Sequence, residues 1–419
     1  MHITLDNAFA FSILVLILIT FIGYIIPTAY VSFTTVREHQ LDEIAQSIMD
    51  KTLLSPGVPE NWGDINLVQS EDDLNAFGFQ KSGGEPYELD VNKLLRIASV
   101  NTSTTMTLPK YVRISADRIA KLLGLENEYG FSIRITPALN ISAKVLDPPY
   151  YFHNGHGVGH GKLTAPCYIE ISVKTPDGRP AIGANVTGLY IFMSLRGQES
   201  KEECYLNSSY YSSSQLVGPD GKVTLDFTSF LSSIDAKLGN KVLRKSGSSI
   251  VIYADYYGIR AVNSSLLETD VEGILDGTVI NNYLILEHES GEELEFFAPP
   301  AAIHLGKEAA LANPPYYVYL SDFEDVTEHG ESGWIINHGH YNIRVYELAS
   351  VVDDDVSLIM VPVKYRGGYY LANFFREPSN VICQKGAASG NIKTSVLRRM
   401  VRVGSFHYIV EVRVWRWGE

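Results

Sequence analysis

Three histidines, His153, His156 and His160, stand in the segment HNGHGVGH with the spacing H-x2-H-x3-H. Neutral imidazole is a ligand for Zn, Cu or Ni, and three rings on one glycine-rich stretch can converge on one ion. His338 and His340, in NHGHY, can extend such a set. The competing reading is a polar loop whose histidines face water, since glycines do not pre-order ligands and no H-E-x-x-H helix motif is present. Asp353, Asp354 and Asp355, and the acidic stretch Ser321 to Glu331, offer hard oxygens suited to Ca²⁺. Neither follows an EF-hand or RTX pattern, so solvated turns are the expectation. No G-x-S-x-G, no G-x-x-x-x-G-K-S/T and no G-x-G-x-x-G after a strand occur. The expectation is a non-enzymatic chain with no catalytic residue and no cofactor. Of the three cysteines, Cys167 and Cys204 fall in one predicted β region and are a candidate disulfide, which leaves Cys383 over.

The elements that must carry such sites begin with an apolar stretch. Ala8 to Val31 reads AFAFSILVLILITFIGYIIPTAYV, without one charge. A helix of that length spans a hydrocarbon core of about 30 Å. It lacks a preceding Lys or Arg and a small-x-small cleavage site, so a retained anchor is expected rather than a signal peptide. The stripe continues: Leu41, Ile44, Ala45, Ile48 and Met49 recur at i, i+3, i+4, i+7 and i+8, one apolar face of an amphipathic helix. Leu41, Ile44, Ile48 and Met49 are expected to dock this stalk on the body, while the apolar half meets membrane lipid or the same helix of other subunits. Pro56, Gly57 and Pro59 end the helix.

The chain has 419 residues and a net charge of −14, which excludes nucleic acid as a partner because no basic surplus neutralises phosphate. Asn-x-Ser/Thr sequons occur at Asn101, Asn140, Asn185, Asn207 and Asn263. With a β-rich body containing 25 tyrosines, they favour an extracellular location. The flanking charges give the positive-inside rule almost no vote.

Past the stalk, Asp90–Ala98 and Ile114–Leu125 read as short helices, the second with Ser115 as N-cap. Phe131–Val145 alternates as one half-buried strand, and Asp147–Lys162 reads as a loop. From 165 to 262 short strands separated by Pro-Asp-Gly turns suggest a sandwich. Residues 263–390 hold further strands, including a hairpin around Arg366-Gly367-Gly368. The chain ends in two strands, VLRRMVRV and FHYIVEVRVWRW, joined at Gly404-Ser405. In the last, Trp415 and Trp417 share a face with Glu411 and Arg413. That face is either a cross-strand ladder or a cover for the stalk or a neighbouring subunit.

The apolar helix with its amphipathic extension, then LLSPGVPENWG, AFGF and YELDVNKLLRI, resembles archaeal type IV pilin-like (pseudopilin) surface proteins, most specifically at Pro59–Gly63. SVLRRMVRVGSFHYIVEVRVW resembles the last strands of the same heads. DGRPAIGANV with DGKVTLDF resembles an Ig-like carboxypeptidase-regulatory-type β-sandwich. The resemblance implies a mainly β fold with a long N-terminal α-helix. It divides the chain into stalk (1–56), pilin-like α+β head (57–146 with 391–419), His/Gly loop (147–164), Ig-like sandwich (165–262) and a further β domain (263–390). It implies a cell-membrane, single-pass surface protein in an adhesive or filamentous assembly, as a homo-oligomer or beside other pilin-like subunits. Pilins carry a basic leader before the apolar helix. MHITLDN has no Lys or Arg, so processing and filament assembly stay open. The alternative is a membrane-tethered extracellular metal- or substrate-binding protein or accessory hydrolase that uses the His-rich segment.

Overall fold

The computed structural model describes residues 2–97, 113–125, 128–156, 162–196, 205–238, 243–267, 276–280, 283–289, 294–296, 301–304, 317–319, 323–325, 337–338, 341–348, 356–365, 368–378, 381–387 and 392–416. In the N-terminal helical region, side chains are described over 10–23 and from 39 onward. Strand accounts for 48% of the structure and helix for 23%, so the chain is mainly β, built of antiparallel sheets.

Helix α1 (His2–Thr20) passes through a π turn (Phe21–Ile25) into α2 (Ile26–Leu54). The π turn falls where Pro27 has no N–H to give the carbonyl of Gly23, so the regular i to i−4 ladder must widen there. Every large apolar side chain from Phe11 to Ile22 is exposed, on all sides of the helix. Among the described residues no helix is long and apolar enough to cross a membrane.

Two short helices follow, as the sequence leads one to expect, the first with Asp90 as its cap rather than its first residue. Helix α3 (Val91–Arg96) starts at Asp90, whose carboxylate accepts the amides of Asn92 and Lys93. Helix α4 (Ala116–Leu123) starts at Ser115 and stops at Gly124 in the left-handed region. All six residues of α3 are buried, including Lys93 and Arg96. Their charged ends collect backbone carbonyls: Lys93 donates to Pro56 (2.9 Å) and Gln80 (2.7 Å), and Arg96 to Trp62, Asp64 (3.3 Å) and Val68 (2.7 Å). Trp62, fully buried, donates its indole N–H to the carbonyl of Gly78 at 2.8 Å. The segment from 56 to 80 is thus held against α3 by two side-chain cations that meet the carbonyls of Pro56, Trp62, Asp64, Val68 and Gln80, while others, such as those of Val58, Pro59 and Ala76, accept backbone amides.

The strands run β1 (Tyr129–Pro137), β2 (Asn140–Leu146), β3 (Tyr150–His156), β4 (Lys162–Ala165), β5 (Tyr168–Lys174), β6 (Asn185–Arg196), β7 (Tyr205–Leu216) and β8 (Lys222–Asp226). Helix α5 (Thr228–Leu238) follows, then β9 (Leu243–Tyr256) and β10 (Ile259–Leu266). Next come β11 (Asp276–Ile280), β12 (Tyr283–Glu289), β13 (Leu294–Phe296), β14 (Ala301–His304), β15 (Tyr317–Tyr319), β16 (Phe323–Asp325), β17 (Asn337–His338), β18 (Tyr341–Leu348), β19 (Ser357–Tyr365) and β20 (Gly368–Arg376). The chain closes with β21 (Val381–Lys385), β22 (Thr394–Val403) and β23 (Phe406–Arg416).

A four-stranded sheet of order β21-β1-β23-β22 joins residues near 130 to residues near 410. Phe131, Ile133 and Ile135 of β1 and Val410, Val412 and Val414 of β23 are fully buried in one cluster with Leu41, Ala45, Ile48, Met49 and Leu53 of α2. A second core lies between the sheet β4-β3-β9-β6-β7, with β10 on β9, and the sheet β2-β5-β8. Strands β11 to β20 make two five-stranded sheets. Tyr283 and Ile285 of β12 and Leu358 and Met360 of β19 extend the first cluster.

Three boundaries differ from the sequence reading. The strand expected over Phe131–Val145 is two: Pro137 cannot donate to a ladder, the chain turns at Ala138-Leu139, and β2 enters the second core with β5 instead of the head sheet. The sheet that holds β1, β22 and β23 also takes in β21, from residue 381. The segment expected to be a loop, 147–164, contains the hairpin β3–β4, because Phe152 is buried against Phe192 and anchors β3 to the core.

Glycine is required at one junction of the head. A Cβ added at Gly130 of β1 meets Nε1, Cε2 and Cζ2 of Trp415 at 2.2, 2.4 and 2.8 Å, and Trp415 is itself buried over that strand. Gly130→Ala is expected to destabilise the protein by about 3 kcal/mol, the upper end for overpacking. Urea unfolding followed by tryptophan fluorescence checks it, and Trp415→Leu in the same background is expected to recover part of the loss.

Candidate functional site

Strand β3 presents His153 outward, with 84% of its side chain exposed. Its Nδ1 lies 2.6 Å from Oδ2 of Asp235 on α5, a carboxylate only 6% exposed. The His153 amide donates to both carboxylate oxygens, at 3.1 and 3.3 Å, and the Tyr150 hydroxyl donates to Oδ2 at 3.2 Å. Burial raises the Asp235 carboxyl, but the side-chain and backbone hydrogen bonds of His153 and that of Tyr150 outweigh it and hold it below the usual carboxylate range. The arrangement locks one imidazole nitrogen and aims the other at solvent. A ring held this way is oriented to offer its second nitrogen to a ligand such as a metal ion.

His156 occupies the same strand, opposite Lys162 across the hairpin, while His160 lies outside the described residues. His338 is in β17, paired with Tyr341. His340 and Asp353, Asp354 and Asp355 lie outside the described residues. Among the described residues no three His, Cys, Asp or Glu side chains gather as a metal site. Sequence reasoning missed Asp235 and Tyr150. One signal was present: Asp235 directly follows Ile234 on the face of α5 that buries Leu231 and Ile234.

Cys167 is a buried free thiol that donates to the carbonyl of Pro148 at 3.2 Å, and Cys204 lies outside the described residues. Cys383 is also free and buried, and desolvation pushes its thiol up to about 12. Burial raises Cys167 as well, so neither is poised as a nucleophile. Of the stalk residues, Leu41, Ile48 and Met49 are buried in the head core and Ile44 packs half-buried against it. Ser395 of β22 adds a hydrogen bond to Asp42 at 2.6 Å. Trp415 covers Gly130, Glu411 accepts from Arg398 (2.6 Å) and Arg413 (2.5 Å), and Trp417 lies outside the described residues.

The sequons divide by geometry. Asn140 and Asn185 are exposed at the starts of β2 and β6, Asn207 lies on β7, and Asn101 is outside the described residues. Asn263 is half-buried and its Nδ2, the atom that would carry a glycan, donates to the carbonyl of Ile141 at 2.7 Å. Glycopeptide mass spectrometry is expected to find glycans at Asn140 and Asn185 and none at Asn263.

A titratable contact joins β10 to β23. The amide of Arg260 on β10 donates to Nδ1 of His407 on β23 at 3.1 Å. Burial lowers the imidazole's proton affinity. The accepted N–H requires the neutral lone pair, and the charges of Arg260 and Arg402 lower it further, against Asp255. The folded value therefore lies below the unfolded one, about 6.5. The contribution to stability is complete above the unfolded value and is lost as pH falls through the folded one. Melting temperature is expected to drop from pH 7 to pH 5, and His407→Asn is expected to flatten that part of the profile.

No protein-family model matches the chain, and no curated protein matches it. Among solved structures, a red sea bream transglutaminase aligns at 12% identity and a TM-score of 0.16, over 61% of this chain and 32% of that one. The chain thus spans about a third of the transglutaminase's length. A superposition of that quality carries no argument about fold or activity.

Proposed function

We propose that this chain is a non-enzymatic, membrane-anchored extracellular surface protein, a pilin-like structural or adhesion component of a cell-surface assembly. In this reading the N-terminal helical segments act as one rod, the four-stranded sheet with α3 and α4 is the pilin-like head, and an Ig-like sandwich and a further β domain project from it. The observation that carries the reading is the contrast along the helix. From Phe11 to Ile22 large apolar side chains are exposed all round, whereas from Leu41 to Leu53 one face is buried in the head. A helix apolar on every side belongs in lipid or among other apolar helices. The apolar side chains are described over only fourteen residues, 10–23, short of the about 20 that a span needs. The reading draws the remainder from the charge-free stretch Ala8–Val31.

Mass spectrometry of sheared surface filaments and of detergent-solubilised membranes from native cells tests it. Enrichment in filaments with a trimmed N-terminus supports a pilin-like subunit, and an intact N-terminus in membranes with glycans on the body supports a standing anchor. Glycan-free peptides in a fraction resistant to external protease overturn it.

The oriented imidazole of His153 supports a second reading, a membrane-tethered extracellular metal- or substrate-binding protein. Zinc retention that vanishes in His153→Ala and weakens in Asp235→Asn favours it, because the carboxylate acts only through the ring.

A further inference from the structure

Among the described residues, two that are not glycine adopt positive φ, and both are tyrosines: Tyr87 (65°) and Tyr257 (53°). Bulky side chains avoid this region, and such outliers cluster where a side chain has work to do. The backbone reason is plain in each case. Tyr257 and Gly258 (φ 84°) form the two-residue turn between β9 and β10, a type I′ geometry that favours Asn-Gly. Tyr87 turns the chain so that its carbonyl accepts the amide of Arg402 at 2.9 Å and Leu89 donates to the carbonyl of Arg402 at 2.8 Å. Neither turn asks for an aromatic ring. Yet Tyr257 is 90% exposed, with the edge of one ring of the Tyr256–Tyr257 pair toward the face of the other at 4.7 Å, and Tyr87 is 38% exposed.

Both tyrosines flank one rung of the β22–β23 hairpin, where Arg402 stands opposite His407. Tyr87 is hydrogen-bonded to Arg402 through its backbone. On the other side His407 accepts the amide of Arg260, two residues past the Tyr257-Gly258 turn. The charges along this rim are already paired. Arg402 binds Glu85 at 3.1 Å and Glu88 at 3.0 Å, and Arg260 binds Asp255 at 3.1 Å. Each of the two arginines of this rim therefore already has a carboxylate partner.

We propose that this rim, made by Tyr257, Asp255, Arg260, His407, Arg402 and Tyr87, binds a neutral saccharide. A sugar ring offers a C–H face that stacks on tyrosine and hydroxyls that bond in pairs to the planar edges of carboxylates and guanidinium groups. An internally neutralised set of such edges suits an uncharged polyol better than an ion. The inference deepens the surface-adhesion reading by naming a ligand class, and it rests on that reading only for its cellular setting. Binding by the purified protein does not depend on how the chain is anchored, so the two fail separately.

The test uses the full chain in a zwitterionic detergent, since glycoside detergents would compete. Maltohexaose, cellohexaose, mannohexaose and chitohexaose are titrated by calorimetry against the parent and Tyr257→Asn. Asparagine is the residue this turn prefers, so the variant is expected to melt at or above the parent temperature and to lose affinity for the bound sugar by about tenfold or more. Failure of all four sugars to bind overturns the proposal. So does a sugar whose affinity Tyr257→Asn leaves unchanged.

Discussion

Replacing Arg96 by methionine is expected to unfold the head or to destabilise it by about 4 kcal/mol. The side chain lies fully buried and donates to the carbonyls of Trp62, Asp64 and Val68. Desolvation lowers the guanidinium to about 10, partly offset by Asp64, so it remains charged at neutral pH. Methionine fills most of the volume but supplies no donor, and the carbonyls of Trp62 and Val68 would lose the guanidinium in a place water does not reach, while that of Asp64 keeps the amides of Leu67 and Val68. Arg96→Lys is expected to recover only part, because one ammonium cannot match a planar fork that reaches three oxygens. Intrinsic fluorescence reads the result directly, since Trp62 is in the same segment. A loss under about 1 kcal/mol would show that the carbonyls find other partners.

The second large effect is expected at the stalk. Ile48→Asp places a carboxylate in the head core, 2% exposed, between α2 and the four-stranded sheet. Loss of the aliphatic contacts costs about 2–5 kcal/mol, and an unpaired buried charge adds to it. Stability is therefore expected to fall by about 5 kcal/mol, with α2 leaving the sheet. Limited proteolysis then cuts near residues 54–57, and the released body exposes the apolar faces of β1 and β23. Ser47→Asp, one residue away on the exposed face, is expected to stay within about 0.5 kcal/mol of the parent. Equal sensitivity of the two positions would mean that the stripe does not dock the helix.

What was legible in the chain follows the range of the forces involved. The apolar stripe through Leu41, Ile48 and Met49 and the cap at Ser115 are written within a few neighbouring residues, and both have the expected local form. The break at Pro137-Ala138 was not, because alternation continues across it: Ile135 and Ile141 are both buried, but in different cores. Hydropathy says that a residue is inside without saying inside what. The His153–Asp235 contact was out of reach for a related reason. Its partners are 82 positions apart, and only the packing of α5 against β3 brings them together. Lys93 and Arg96 mislead in the opposite way, since two cations in six residues read as a solvated face until the carbonyls around them are seen.

The pairing of β1 with β23 has a consequence for how the chain is made. The head sheet closes only when residues 406–416 are available, although its first strand and the stripe of α2 that it shelters come from the first third of the sequence. At ~5–20 residues per second, the interval between them is on the order of 14–55 s of synthesis. Throughout it the face bearing Ile48 and Met49 has no sheet to cover it, while the strands β2 to β10 are complete once residue 266 is made and can fold first. Maturation of this protein is therefore ordered by connectivity: the sheets built from β2 to β10 can condense early, the β21-β1-β23-β22 sheet only late, and until then the apolar stripe of α2 stands uncovered.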